Sequence, residues 1–221
     1  MDFNAIRKTL QRELKVKLLG KTKYGSKWTG ANNNWYEDIH NSNYLLHEDF
    51  KEYYIKKKKD LRSVLEIGCG TGIYPIKNKD MFDGIDYNGI DISNDAIKYC
   101  KNNSNFDFIC GDFIKMNLER TFDLVYSHAV IDHVYDIDEF VSKIVTACKK
   151  FAYINSYRGY FPELETHKSL WRDDAGCYFN DISIKRIKKV LINNGLKEEN
   201  FIIRAQDNGK GINQTVIEIT K

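Results

Sequence analysis

Hydrophobic and polar positions along the 221-residue chain follow two periods in turn. Phe3, Ile6, Leu10, Leu14 and Leu18 recur at helical spacing and predict an amphipathic helix that Gly20 ends. A second helix is expected from His47 to Lys58. Beyond it, apolar runs of strand length set in: Val64–Ile67, Tyr87–Ile92, Phe106–Cys110, Phe122–Ser127 and Phe151–Asn155. Pro75 falls in the first turn of the element after the first strand, which predicts a short helix there. Ser93 with Asp95 caps the next helix, and Asp136 with Glu139 caps another whose face is Ile137, Phe140, Val141, Ile144, Val145 and Cys148. A helix from Ile184 to Asn194, capped by Ser183 and stopped by Gly195, precedes a hairpin of Phe201–Arg204 and Thr215–Ile219. Between Ser156 and Ile182 no period holds, and so long a connection usually has a function.

The first strand runs into Gly68-Cys69-Gly70-Thr71-Gly72, three glycines at alternate positions. Glycine lets backbone turn sharply and approach a ligand closely. The dinucleotide fingerprint needs a glycine where Ile73 stands, so a nicotinamide or flavin is disfavoured. Asp91 lies at the end of the second strand, 19 residues beyond Gly72, where an acid accepts hydrogen bonds from the ribose of a nucleoside cofactor. A second carboxylate, Asp112, follows the third strand in Gly111-Asp112-Phe113.

Composition narrows the class. Apolar residues at 42% and charged residues at 29% are ordinary for a globular domain. Apolar runs stay far below the roughly 20 residues that span a bilayer, and Met1-Asp2-Phe3-Asn4 does not begin a signal peptide, so no membrane partner and a cytoplasmic location are expected. Five cysteines without a C-x-x-C pair predict reduced thiols and no zinc site. The net charge of +3 is uneven: residues 1–62 carry 14 Lys or Arg against 8 Asp or Glu. Such an arm can attract phosphate or RNA, though Lys56-Lys57-Lys58-Lys59 near a helix end reads better as a solvated surface.

Glu66, Gly68, Gly70 and Gly72 match the first motif of the class I S-adenosylmethionine-dependent methyltransferases, an acid two places before G-x-G-x-G, and the chain resembles that family over residues 63–221. The resemblance implies a Rossmann-like, seven-stranded, mostly parallel sheet with helices on both faces and an antiparallel last strand. It implies S-adenosylmethionine as cofactor, with S-adenosylhomocysteine as product. Gly68, Cys69, Gly70 and Gly72 would face its amino-acid end with Glu66 helping to orient it, Asp91 and Ile92 would meet the ribose, and Gly111, Asp112 and Phe113 the adenine. Ser127 and the segment His128–Val134 correspond to the variable fourth motif, which borders the methyl group. Residues 1–60 would form a helical cap or arm, and residues 61–221 the methyltransferase domain with a substrate-side insertion at about 156–182.

Methyl transfer to a hydroxyl needs an in-line acceptor and a base. His133 is the first candidate base, His128 the second, and Asp132 a possible orienting carboxylate, because histidine titrates near neutral pH and both rings fall at the expected active edge. Packing roles weigh equally for these residues. Trp35, Tyr36, Tyr157, Arg158, His167 and Trp171 are candidate substrate contacts, with His167 a third possible base. The proline-rich aromatic motif of DNA amino-methyltransferases is absent after the fourth strand, as is a Pro-Cys nucleophile, so DNA is disfavoured; no metal site is evident. The leading expectation is O-methylation, with nitrogen second, of a small polar metabolite such as a sugar or phosphorylated intermediate. An RNA or protein methyltransferase using the basic arm comes next, with RNA disfavoured, and a non-catalytic adaptor of the same fold is the third reading. The oligomeric state stays unassigned.

Overall fold

The fold is that of a computed structural model, which describes Tyr24, Trp28 and residues 45–221 apart from 208, 210 and 212. The helix expected over the first twenty residues, and Trp35 and Tyr36, lie outside the described residues.

Helix α1 (Leu45–Lys57) leads into β1 (Ser63–Ile67). After β2 (Asp86–Asp91), α2 (Asn94–Asn103) and β3 (Asp107–Cys110) come β4 (Phe122–His128), α3 (Ile137–Ala147) and β5 (Cys148–Ser156). The expected cap residues work as read: Ser93 accepts from the Ala96 amide, Asp136 from Glu139 and Ser183 from Arg186. Between β1 and β2 the chain makes a wide turn, Ile73–Lys77, after Gly72, and then a 3-10 turn, Lys79–Phe82, so the short helix expected at Pro75 is a single turn.

Residues 156–182, expected as an irregular connection, contain a hairpin of β6 (Lys168–Arg172) and β7 (Cys177–Asp181). Its turn, Asp173-Asp174-Ala175-Gly176, places Gly176 in left-handed backbone with its N–H on the Arg172 carbonyl. Helix α4 (Ile184–Asn193), β8 (Phe201–Asp207) and β9 (Asn213–Thr220) complete the chain.

Seven strands form one sheet in the order β3-β2-β1-β4-β5-β9-β8, parallel except that β9 runs antiparallel to both its neighbours. Alternation along the buried strands divides two cores. Val64, Leu124, Tyr126 and Tyr153 pack with Phe50 and Tyr54 of α1 and Ile97 and Cys100 of α2. Leu65, Ile67, Val125, Ala152 and Ile154 pack on the other face with Phe140, Val141 and Ile144 of α3 and Ile187 and Leu191 of α4. Helices therefore cover both faces, and the ends of β1, β2, β3 and β4 converge on one edge, where open parallel sheets bind ligands. Among the described residues, no helix is long and apolar enough to cross a membrane.

Candidate active site

The glycine loop is held in left-handed backbone at Gly68 (φ +74°), Gly70 (+52°) and Gly72 (+71°), which residues with a side chain rarely adopt. Gly68 and Cys69 amides donate to the Ile90 carbonyl at 2.7 and 3.1 Å, tying the turn to β2. A Cβ on Gly68 would stand 2.2 Å from Val130 Cγ2, so the loop and the segment after β4 lie against each other.

Two carboxylates stand at the ends of β2 and β3. Asp91 Oδ2 accepts from the Gly70 amide and Oδ1 from the Ser93 amide, both at 2.8 Å. Burial pushes its pKa above the usual carboxylate range, opposed by those amide donors. Asp112 Oδ1 accepts from the Tyr24 hydroxyl (3.0 Å) and the Ile114 amide (3.1 Å); its Oδ2 accepts from the Tyr135 hydroxyl (3.1 Å) and pairs with Lys115 at 3.5 Å. The Gly111 amide donates to the Asp91 carbonyl at 2.9 Å, which brings the two strand ends together.

Other loop candidates are packed. The Glu66 carboxylate points into the aromatic core, where Tyr87 and Tyr126 hydroxyls donate to it, and burial raises its pKa to about 8. Cys69 is buried beside Gly89, and burial holds its thiol well above the usual value, so the thiol is protonated and disfavoured as a nucleophile. Phe113 is buried against Phe140, Ile92 packs partly buried on the core, and Ser127 is fully buried at the end of β4.

The chain leaves β4 through Ala129, whose φ of +56° is unusual for a side-chain-bearing residue, and enters a 3-10 turn, Ile131–His133. His133 is nearly buried. Its Nδ1 lies 2.6 Å from the Tyr178 carbonyl oxygen and its Nε2 3.2 Å from the Tyr157 hydroxyl. A carbonyl only accepts, so Nδ1 carries the proton and Nε2 accepts from Tyr157. Asp132 is fully buried, and burial raises its carboxyl to about 7. It accepts from the Ser156 hydroxyl (2.6 Å) and from the Tyr157 and Arg158 amides (each 3.3 Å), so it anchors the end of β5 while the Tyr178 carbonyl orients the imidazole. His128 packs its ring against Tyr74, 5.2 Å between centroids, and Phe50, 4.8 Å.

Candidates from the long connection separate. Tyr157 reaches His133, while Arg158 pairs with Asp181 (2.8 Å) and stacks over Phe179. Trp171 sits on the outer hairpin, with Nε1 donating to Asp173 at 2.8 Å. His167 bridges two helices: Nε2 lies 3.2 Å from Asp138 of α3, and Nδ1 accepts from the Ser183 amide at the head of α4. Burial lowers its pKa, against the Asp138 charge.

Four groups at this edge escape motif reading. Tyr24 and Tyr135 flank Asp112, the Trp28 ring lies 4.6 Å from that of His133, and Tyr178 contributes a main-chain carbonyl. Among the described residues, no group of three or more His, Cys, Asp or Glu side chains could hold a metal ion.

Sheet order, glycine loop and strand-end acids together define the class I methyltransferase architecture. A family model described as a methyltransferase domain matches residues 58–197, and the chain belongs to that family. It is similar to malonyl-[acyl-carrier protein] O-methyltransferase 2 of Ilyobacter polytropus, 30% identical over 145 residues, covering 62% of this chain and 56% of that protein. Another relative is the malonyl-[acyl-carrier protein] O-methyltransferase of Calditerrivibrio nitroreducens, 33% identical over 91 residues, 41% of this chain and 36% of that one. The chain thus spans between about a third and just over half of these relatives. Among solved structures, an S-adenosylmethionine-dependent methyltransferase from Archaeoglobus fulgidus aligns with TM-score 0.62 and 19% identity, covering 86% of this chain and all of that one. Magnesium protoporphyrin IX methyltransferase from Synechocystis PCC 6803 with bound S-adenosylmethionine aligns with TM-score 0.55 and 16% identity, covering 91% and 88%.

Proposed function

We propose that this chain transfers the methyl group of S-adenosylmethionine to a hydroxyl oxygen of a small polar metabolite, such as a sugar or a phosphorylated intermediate. The donor set fits the cofactor: a left-handed glycine loop next to carboxylates at two successive strand ends. Gly68, Gly70 and Gly72 would hold its amino-acid end, Asp91 its ribose and Asp112 its adenine. The cofactor supplies a methyl group on a sulfonium, which leaves without the bonding pair.

The observation that carries the hydroxyl reading is the fixed tautomer of His133. Its Nδ1–H donates to the Tyr178 carbonyl and its Nε2 accepts from the Tyr157 hydroxyl, on a turn entered through Val130, which packs on Gly68. An imidazole whose Nε2 is held as an acceptor, here of the Tyr157 hydroxyl, suits uptake of a proton from an acceptor alcohol. Calorimetry with S-adenosylhomocysteine, followed by a screen of hexoses, hexose phosphates and hydroxy acids for its formation from S-adenosylmethionine, tests the proposal. Binding and turnover of a hydroxyl compound are expected; absence of binding at high micromolar concentration would sink it.

A second reading takes a carboxylate on a carrier-bound acyl chain as acceptor, supported by the names of the two relatives above. A carboxylate is already nucleophilic and needs no base, so a malonyl thioester separates the two readings.

A further inference from the structure

We infer that Tyr157 is a catalytic residue whose hydroxyl takes the acceptor's proton while passing its own to His133 Nε2, and that Asp132 positions it. This rests on the hydroxyl reading above. His133 is only 6% exposed, and its ring is enclosed by Trp28 at 4.6 Å, Phe179 edge-on at 5.3 Å and Tyr157 at 5.8 Å between centroids. Its accepting nitrogen faces the Tyr157 hydroxyl at 3.2 Å. An acceptor therefore meets the phenol, which is half-buried, before it can meet the imidazole.

Both ends of Tyr157 are held by consecutive residues. Asp132 accepts from its amide and His133 from its hydroxyl. The Asp132 carboxylate also takes the Ser156 hydroxyl and the Arg158 amide, so the residues on either side of Tyr157 are fixed as well. Burial, and then the Asp132 charge, push the phenol well above its ordinary pKa. Tyr157 therefore stays protonated and serves as a conduit, since a resting phenolate would be too costly there.

The step balances. The acceptor O–H breaks and its proton joins the Tyr157 oxygen, as the Tyr157 O–H breaks and that proton joins His133 Nε2. The acceptor oxygen's pair forms the bond to the methyl carbon, and the carbon–sulfur pair stays on sulfur. The products are a methyl ether, a thioether and a cationic imidazole, which returns its proton to solvent through the same hydroxyl.

Three measurements on the full chain test this. Ring ¹⁵N spectra of histidine-labelled protein should show His133 neutral with its proton on Nδ1; a proton on Nε2 overturns the relay. With the hydroxyl compound turned over by wild type from the hexose, hexose phosphate and hydroxy acid panel, Y157F should lower kcat by about 10²-fold or more. Its KM and its S-adenosylhomocysteine affinity should stay within about two-fold, which a purely structural role would not predict. An unchanged kcat overturns the assignment. D132N should lower kcat less than Y157F does while keeping the tautomer. With a malonyl thioester as probe, equal turnover by wild type and Y157F and none on the panel overturns the relay by assigning a carboxylate acceptor. If wild type binds S-adenosylhomocysteine yet turns over neither probe, the hydroxyl reading itself fails and the relay falls with it.

Discussion

Asp91 Oδ2 accepts a 2.8 Å hydrogen bond from the Gly70 amide, so the acid expected to meet a ribose also fixes the loop expected to meet the amino-acid end. Its other oxygen fixes the Ser93 amide at the start of α2. Asp91→Ala removes both acceptors. Hydrogen bonds to a charged group contribute about 1.5–3 kcal/mol each, so S-adenosylhomocysteine affinity should fall by at least about ten-fold in calorimetry. Affinity equal to wild type would place the cofactor elsewhere.

Gly70→Val should abolish cofactor binding and leave a cooperative unfolding transition. The φ of +52° at Gly70 penalises a β-branched side chain, by about 1–3 kcal/mol, and the new side chain would sit in the loop. Gly68→Ala should cost more stability than Gly84→Ala, because both sit in left-handed backbone (φ +74° and +73°) but only the Cβ at position 68 meets an atom, Val130 Cγ2 at 2.2 Å. Thermal unfolding of the two alanine variants ranks them, and the reverse order would contradict the packing of the loop on the β4 turn.

The two hydroxyls on Asp112 lead to a third expectation. With Tyr24, Tyr135, the Ile114 amide and Lys115 around it, the carboxylate has few lone pairs left for an adenine amine. Tyr24→Phe removes one competitor and should tighten S-adenosylhomocysteine binding by several-fold. Weaker binding would mean that the Tyr24 hydroxyl serves the cofactor directly.

Burial holds Glu66 at about 8 and Asp132 at about 7, against roughly 4 in an unfolded chain. The folded protein therefore keeps two protons that the unfolded chain has released. Their stabilising contribution is complete below about pH 4 and is lost as pH rises through 7 and 8. Urea unfolding from pH 5 to 9 should show a smaller loss of stability in the E66Q/D132N double variant than in wild type. Identical slopes would show that these carboxyls ionise as ordinary ones do.

His167→Ala should lower stability by about 1–2 kcal/mol, since it strands the Ser183 amide and removes the tie to Asp138. Acceptor KM should not change. A raised KM with unchanged unfolding would restore His167 as a substrate contact.

The sequence by itself determined the sheet and the loop, because strand runs, caps and glycine spacing are local properties. Ser93, Asp136 and Ser183 cap the helices their positions indicated, and the apolar face of Ile137, Phe140, Val141 and Ile144 is buried as its period required. The β6–β7 hairpin was legible in principle, from aromatic residues around a Gly176 turn, but the charged stretch between Arg172 and Asp174 hid it. Only the tertiary structure decided how the histidines divide. His128, His133 and His167 look alike along the chain, yet one enters an aromatic core, one joins Tyr157 and Tyr178, and one clamps α3 to α4. The same holds for Asp132, whose partners come from the far end of β5, and for Asp112, met by Tyr24 from 88 residues away. Hydrogen-bond partners across such separations depend on which strand ends the sheet order brings together, and the local pattern carries no record of that order.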